Sequence, residues 1–419
     1  MATGADRAAA NQRSVLRDPA FLRLWSGTTA SGLATWTLPF MLGLAVVDRT
    51  LSATELGLIL ATRTAGFLVA VPLGGVLADR YSRRAVVLWS SLASAFATPL
   101  IALGLDRSVL LMAAAAAVVG AGQGGCRPAF QALIAGVVDP SRRQQANAAI
   151  TMAVRVTALV APGATALLAA VIDPWVLITS TALFWLIAAL LPPRGSAGPP
   201  TPDTRIPLVE QFADGVREAR RHPWFISGLA ALAAVIATGY SATAVALPLV
   251  SRDRYGTELV LATALTGYTA GALIGALLIA RWRPRYQGWA ALAGLACYGL
   301  APLSLLIPAH PVLVVIAYVL AGMGIVLFNV PWFTATQREV APHLLARVSS
   351  LDFLVSYGFA PLGLALIAPA IDTFGAPVVL ATCTVVCVLA PVAAALTPST
   401  RHFSRSDTLA CCRQQQARP

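Results

Sequence analysis

Three arginines, Arg63, Arg127 and Arg155, stand inside long apolar stretches of this chain. A guanidinium stays charged and presents its donors as a planar fork, which suits it to carboxylates, phosphates and backbone oxygens. Embedding one in a spanning helix costs roughly 2.5–3.5 kcal/mol on insertion scales, so each should face the interior or a watery cavity. By rise per residue, Arg63 and Arg155 lie near the middle of their stretches and Arg127 nearer one end. No Asp or Glu stands at that depth; the embedded or nearly embedded acids are Glu55 and Asp352, both near stretch ends. Excess positive charge in a cavity suits an anionic or strongly polar molecule better than a cationic one. The rival role for Arg63 and Arg155 is bonding to backbone carbonyls between helices. Trp36, Gln123, Gln131, Asn329 and Trp332 are further candidates to line the cavity, with packing or interfacial anchoring as the rival role of each tryptophan.

A second charged group is "GGVLADRYSRR", Gly74 to Arg84. Small residues let neighbouring helices approach closely. Asp79 is then placed to face the positive end of another helix, while Arg80, Arg83 and Arg84 reach carboxylates or lipid phosphates, so that the cluster acts as a latch. Further along, "RVSSLDFL" places Ser349 and Asp352 at capping-box spacing, which leaves Asp352 two roles: capping its own helix or pairing with Arg80 or Arg83.

Several chemistries are excluded by what is missing. The chain has no lysine, so neither a Walker A phosphate loop nor a Schiff base can form, and ATP is not expected as a partner. "GAGQGG", Gly120 to Gly125, matches a dinucleotide pattern but sits mid-helix, where close helix packing is the better account. The cysteines show no metal or disulfide spacing; Cys383 and Cys387 share a helix face without further ligands, so neither metal nor cofactor is expected. The four histidines fall in loops or tail, and neither HExxH nor GxSxG occurs, against a membrane-embedded enzyme. Nucleic acid is not expected either, because the net charge of +12 is not gathered on a soluble module.

The elements that must position these residues follow from composition. The 419 residues are 57% hydrophobic and 11% charged, with a mean hydropathy of +0.73. Soluble domains carry roughly 25% charge, so lipid is the solvent, and membrane lipids are partners. Splitting at charges and Pro/Gly clusters predicts helices over 21–47, 55–78, 85–104, 109–135, 146–171 and 174–192, then 224–250, 258–280, 288–307, 311–335, 348–370 and 375–396. The expectation is an all-α polytopic membrane protein with 12 transmembrane helices in two six-helix bundles, 21–192 and 224–397. Tails span 1–20 and 398–419; a linker, 193–223, is first Pro/Gly-rich and then amphipathic through Val209, Phe212 and Val216, as a surface helix tying the halves together. The stretch 21–47 is read as a retained helix rather than a cleaved signal. Arginines crowd the loops on one side, leaving only Arg49, Arg107, Arg252 and Arg254 on the other, which predicts that both termini are cytoplasmic.

The Gly74–Arg84 stretch resembles motif A of the major facilitator superfamily, with Ser82 where a glycine is usual. "CRPAFQALIAGVVDPSRRQQANA" and "LFNVPWFTATQREVAPHLLARVSSLDFLVSYGFAPLG" are similar to the enterobactin/macrolide exporter branch of the drug efflux antiporters. The resemblance implies the major facilitator fold in a bacterial cytoplasmic membrane, alternating access, and export of a drug, siderophore or natural product by proton antiport. It implies that Asp79, with Gly75, Arg80, Arg83 and Arg84, holds its helix against the start of the one containing Asp352. Uncoupled facilitation, or import of an anionic metabolite, is the alternative. The antiporter signature is reduced to Pro162 and Gly163, a bend without its preceding glycine. A weaker echo of the latch lies in the second half, where Gly267, Gly271 and Gly275 precede Arg281, Arg283 and Arg285; counting from Gly275 puts Ile279 where Asp79 stands.

Overall fold

The computed structural model describes residues 14–47, 50–105, 107–169, 171–194, 207–257, 259–308 and 310–404. Most of the expected N-terminal tail, linker residues 195–206 and tail residues 405–419 lie outside the described residues. Helices of the first sequence half are α1 (Pro19–Val47), α2 (Ala53–Arg80), α3 (Arg83–Gly104), α4 (Val109–Val137), α5 (Arg143–Ala169) and α6 (Pro174–Leu190). A polar helix α7 (Leu208–Arg220) precedes α8 (Pro223–Tyr255), α9 (Leu259–Arg281), α10 (Gln287–Leu306), α11 (Pro311–Glu339), α12 (Leu345–Phe374) and α13 (Ala376–Ala395). Eleven of these are long and apolar enough to span a bilayer, and α6 is a shorter apolar helix whose length covers about 26 Å, close to the hydrocarbon thickness. The protein is an all-helical integral membrane protein, and its helix count accords with twelve spans.

Caps set the helix starts. Ser52 and Glu55 close a reciprocal capping box at α2, with Ser52 N–H donating to Glu55 Oε2 at 2.8 Å and Glu55 N–H to Ser52 Oγ at 3.2 Å. Glu55 therefore belongs to a helix cap. Ser82, standing where motif A usually has glycine, caps α3 by accepting from the Ala85 N–H. Prolines such as Pro72, Pro128, Pro162 and Pro331 lie within continuous helices, as is tolerated in spanning segments. A π-helical segment, Ile236–Tyr240, interrupts α8, and the Thr238, Ser241 and Thr243 hydroxyls donate to nearby backbone carbonyls.

The chain divides into two compact units. One takes the described residues up to Gly215 together with Ala341–Phe353; the other takes Val216–Val340 and the described residues from Leu354 onward. Within the first, α2 packs along α4, α3 lies against α4 and α6, and α1 against α5 and α6. Within the second, α9 packs along α11, α10 against α11 and α13, and α8 against α13.

Two sequence expectations change here. Helix α7 forms, but its buried stripe is Gln211, Gly215 and Ala219, at four-residue spacing, while Val209 is 81% exposed. The small Gly215 decides this, because a Cβ there would meet Arg347 Cβ at 2.7 Å. Helix α12 begins at Leu345, so Ser349 lies inside the helix with a buried hydroxyl that makes no hydrogen bond. The predicted Ser349–Asp352 capping box is therefore not the start of this helix.

Candidate functional site

Helix α12 takes its N-terminal cap from another helix. Asp79, 5% exposed in the last turn of α2, accepts from the Ala346 N–H at 3.4 Å and the Arg347 N–H at 3.1 Å. Those amides belong to the first turn of α12, where no intrahelical acceptor exists and the helix dipole favours an anion. Arg347 Nε lies 3.8 Å from Asp79 Oδ2. Gly75 makes the approach possible, since a Cβ on it would meet Ala346 O and Ser350 Oγ at 2.8 Å; its neighbour Gly74 packs instead on Gly125 of α4.

The other basic residues of the motif diverge. Arg83 donates to the carbonyls of Ala132, at 3.1 Å, and Pro342. Arg84 donates to Leu190 O at 3.2 Å, and Arg80 lies over the Tyr81 ring. Asp79 has two cationic neighbours, Arg83 of its own motif and Arg347, which sequence reasoning missed. A signal was present: a cation in the first turn of a helix opposes the dipole and needs an acid nearby. Arg347 also donates to the carbonyl and side-chain oxygens of Gln211 and lies 3.8 Å from Asp214, both on α7. Asp352 is buried on α12, on the turn after Ser349.

A second polar group forms where α2 and α4 touch. Gly120 stands against the carbonyl of Arg63, which leaves no room for any side chain at that position. Three residues on, Gln123 accepts from Arg63 Nη2 through Oε1 at 2.8 Å, and the same nitrogen donates to Thr35 O of α1 at 3.1 Å. Arg63 thus bonds a backbone carbonyl between helices and a buried amide together. Trp36, beside Thr35, is 43% exposed. Gln123, Arg127 and Gln131 recur every fourth residue, along one side of α4; both glutamines are buried and Arg127 is half-buried. Arg155 is half-buried on α5, and Gly163, beyond Pro162, faces open space.

In the second unit Asn329 is half-buried on α11. Trp332 is 1% exposed and stacks on Phe225 and Phe328, with Trp224 and Phe403 edge-on. Five aromatic rings thus share one core cluster, the packing role that stood as the alternative to cavity lining for Trp332. His222, expected in a loop, is 2% exposed and lies 3.4 Å from Glu218. Among the described residues no group of His, Cys, Asp and Glu has the arrangement of a metal site.

The model of the Major Facilitator Superfamily matches residues 24–364. The chain belongs to this superfamily. No curated protein matches the sequence. Among solved structures, the human organic anion transporter MFSD10 (TETRAN) is similar with a TM-score of 0.69 at 17% identity, over 91% of this chain and 100% of that one. A bacterial homologue of the iron transporter ferroportin, in an outward-facing state with soaked iron, gives 0.70 at 15% identity, over 90% and 98%. The E. coli fucose:proton symporter FucP gives 0.67 at 14% identity, over 92% and 100%. These likenesses establish the fold.

The major facilitator repeat also shifts the internal alignment. Gly66 and Gly120 lie three residues after Arg63 and Ala117 and press on the carbonyls of Ala117 and Arg63, respectively. Gly271 and Gly322 lie three residues after Tyr268 and Val319 and press on Val319 and Tyr268 in the same reciprocal way. This register sets Tyr268 against Arg63 and Ile325 against Gln123. It sets Pro284 rather than Ile279 against Asp79, and Arg285–Tyr286 against Arg80–Tyr81. In both copies the arginine lies over the next residue's ring at 5.5 Å. The acidic member is absent from the second copy in either alignment.

Proposed function

We propose that this protein is a secondary active transporter of the bacterial cytoplasmic membrane, with both termini cytoplasmic, exporting a small organic molecule by alternating access. The single observation that carries the reading is the Asp79 cap on α12. A buried carboxylate that supplies the missing acceptors of another helix's first turn is a contact with two discrete states, made or broken, as a conformational cycle requires. The arginine side of the first half favours an anionic or strongly polar substrate, with Arg63 and Gln123 as the first residues to test and Trp36, Arg127, Gln131 and Arg155 behind them. Export and proton antiport rest on the likeness to the enterobactin/macrolide exporters.

A second reading, uncoupled facilitation or import of an anionic metabolite, is favoured by the lack of an acid at mid-depth. Transport into sealed proteoliposomes under an imposed pH gradient separates the two. Export by antiport requires substrate to move against its own gradient, opposite to the protons, with anions preferred over cations. Flux that follows the substrate gradient alone and survives collapse of the pH gradient selects facilitation, and a preference for cations sinks the arginine argument.

A further inference from the structure

Where α1 and α3 begin and α6 ends, arginines from three segments of the first unit converge. Arg23 Nε donates to Leu191 O at 3.0 Å, and Arg84 Nη2 to Leu190 O at 3.2 Å. Arg194 follows α6 closely, and both Arg23 and Arg194 act on Arg84 as like charges. The end of a helix carries only about half a negative charge, so its carbonyls orient these side chains without neutralising them. Among the described residues no carboxylate forms an ion pair with any of the three. Arg84 Nη1 is shut from solvent and makes no hydrogen bond.

The surroundings are apolar. Leu190, which supplies the carbonyl for Arg84, is 61% exposed, and Leu22, beside Arg23, is 38% exposed. Leucines exposed on a spanning bundle meet acyl chains, and arginines at the ends of the same helices stand at headgroup depth. A guanidinium cluster here matches the oxygens of a phosphate, whose charge would complete the local balance. Arg83 turns instead towards Ala132 and Pro342, so the two adjacent arginines of one motif face different partners.

We propose that Arg23, Arg84 and Arg194 form a phosphate site occupied by an anionic phospholipid whose acyl chains lie over Leu22 and Leu190. This site is independent of the transported substrate. Free phosphate offers the same oxygens, but it gives no account of the exposed leucines around them.

The test uses the purified full chain in neutral detergent, titrated with phosphatidylglycerol, phosphatidylcholine or inorganic phosphate, with bound lipid read by native mass spectrometry and stability by thermal melting. Phosphatidylglycerol should bind and raise Tm. The Arg23→Gln/Arg84→Gln variant should bind it about thirtyfold more weakly, and the exposed Arg107→Gln should match wild type. If the double variant does not fold, Arg23→Gln alone should weaken binding about fivefold. Equal binding of phosphatidylcholine, an unchanged affinity in the arginine variants, or inorganic phosphate displacing the lipid at equal concentration would overturn the proposal.

Discussion

Helix pairs α2/α4 and α9/α11 share one packing plan and carry different chemistry. In both, glycines on each helix press against a carbonyl of the other, three residues from the mate's own glycine contact. On that common frame the first pair holds Arg63 bonded to Gln123, while the matching positions in the second are Tyr268 and Ile325. At the helix ends the first copy presents Asp79 to α12, and the second has Pro284. The lesson is that backbone contact conserves the small residues of a repeat and leaves its polar positions free to specialise.

The largest expected effects test the shared frame. Gly120→Leu and Gly271→Leu would each drive a side chain into a backbone carbonyl, an overpacking that typically costs about 1–3 kcal/mol and more where backbone must move. Both variants should lose most of their monodisperse protein on size exclusion; a tolerated leucine at one position would show that the two pairs are not built alike. Next comes the difference at the ends. Asp79→Asn should abolish transport in vesicles with expression preserved, whereas Pro284→Ala should stay within about twofold of wild type. Unchanged transport by Asp79→Asn would remove the latch.

Arg347→Gln should have a smaller effect, about a tenfold loss in transport rate, because the two amide hydrogen bonds to Asp79 survive it. In thermal melting, where both single variants leave a measurable signal, the double variant should lose less than the sum of the two, and an additive loss would separate Arg347 from the latch. The smallest contrast lies at mid-depth. Arg63→Gln should raise the KM for anionic substrates several-fold, while Tyr268→Phe, its counterpart in the second copy, should leave KM unchanged. A KM insensitive to Arg63 would assign that side chain to helix bridging alone.

Much of the frame was legible in the sequence because lipid imposes length and polarity on every spanning helix. The glycines of "GAGQGG" read correctly as packing residues, since a mid-helix position has no strand to make a nucleotide turn. Val209 was misread, and the two roles of Trp332 stayed open, for one reason: an aromatic or a β-branched residue on a helix looks alike whether its partner is a ligand, a core or nothing. Arg347 went unnoticed because its partners, Asp79 and Gln211, are remote in sequence, and only the dipole conflict at the start of α12 hinted at them. The alignment of the two halves slipped because glycine spacing repeats within one helix, whereas the facing carbonyls select a single register.

Alone, the sequence determined the solvent, the number of spans and the kinds of charge within them, because desolvating backbone and guanidinium groups is costly enough to leave few arrangements. Tertiary structure decided which oxygen each arginine meets, which helix Asp79 caps and which stripe of α7 is buried. Those outcomes turn on contacts within about 4 Å between residues far apart in the chain, and no local pattern encodes such distances.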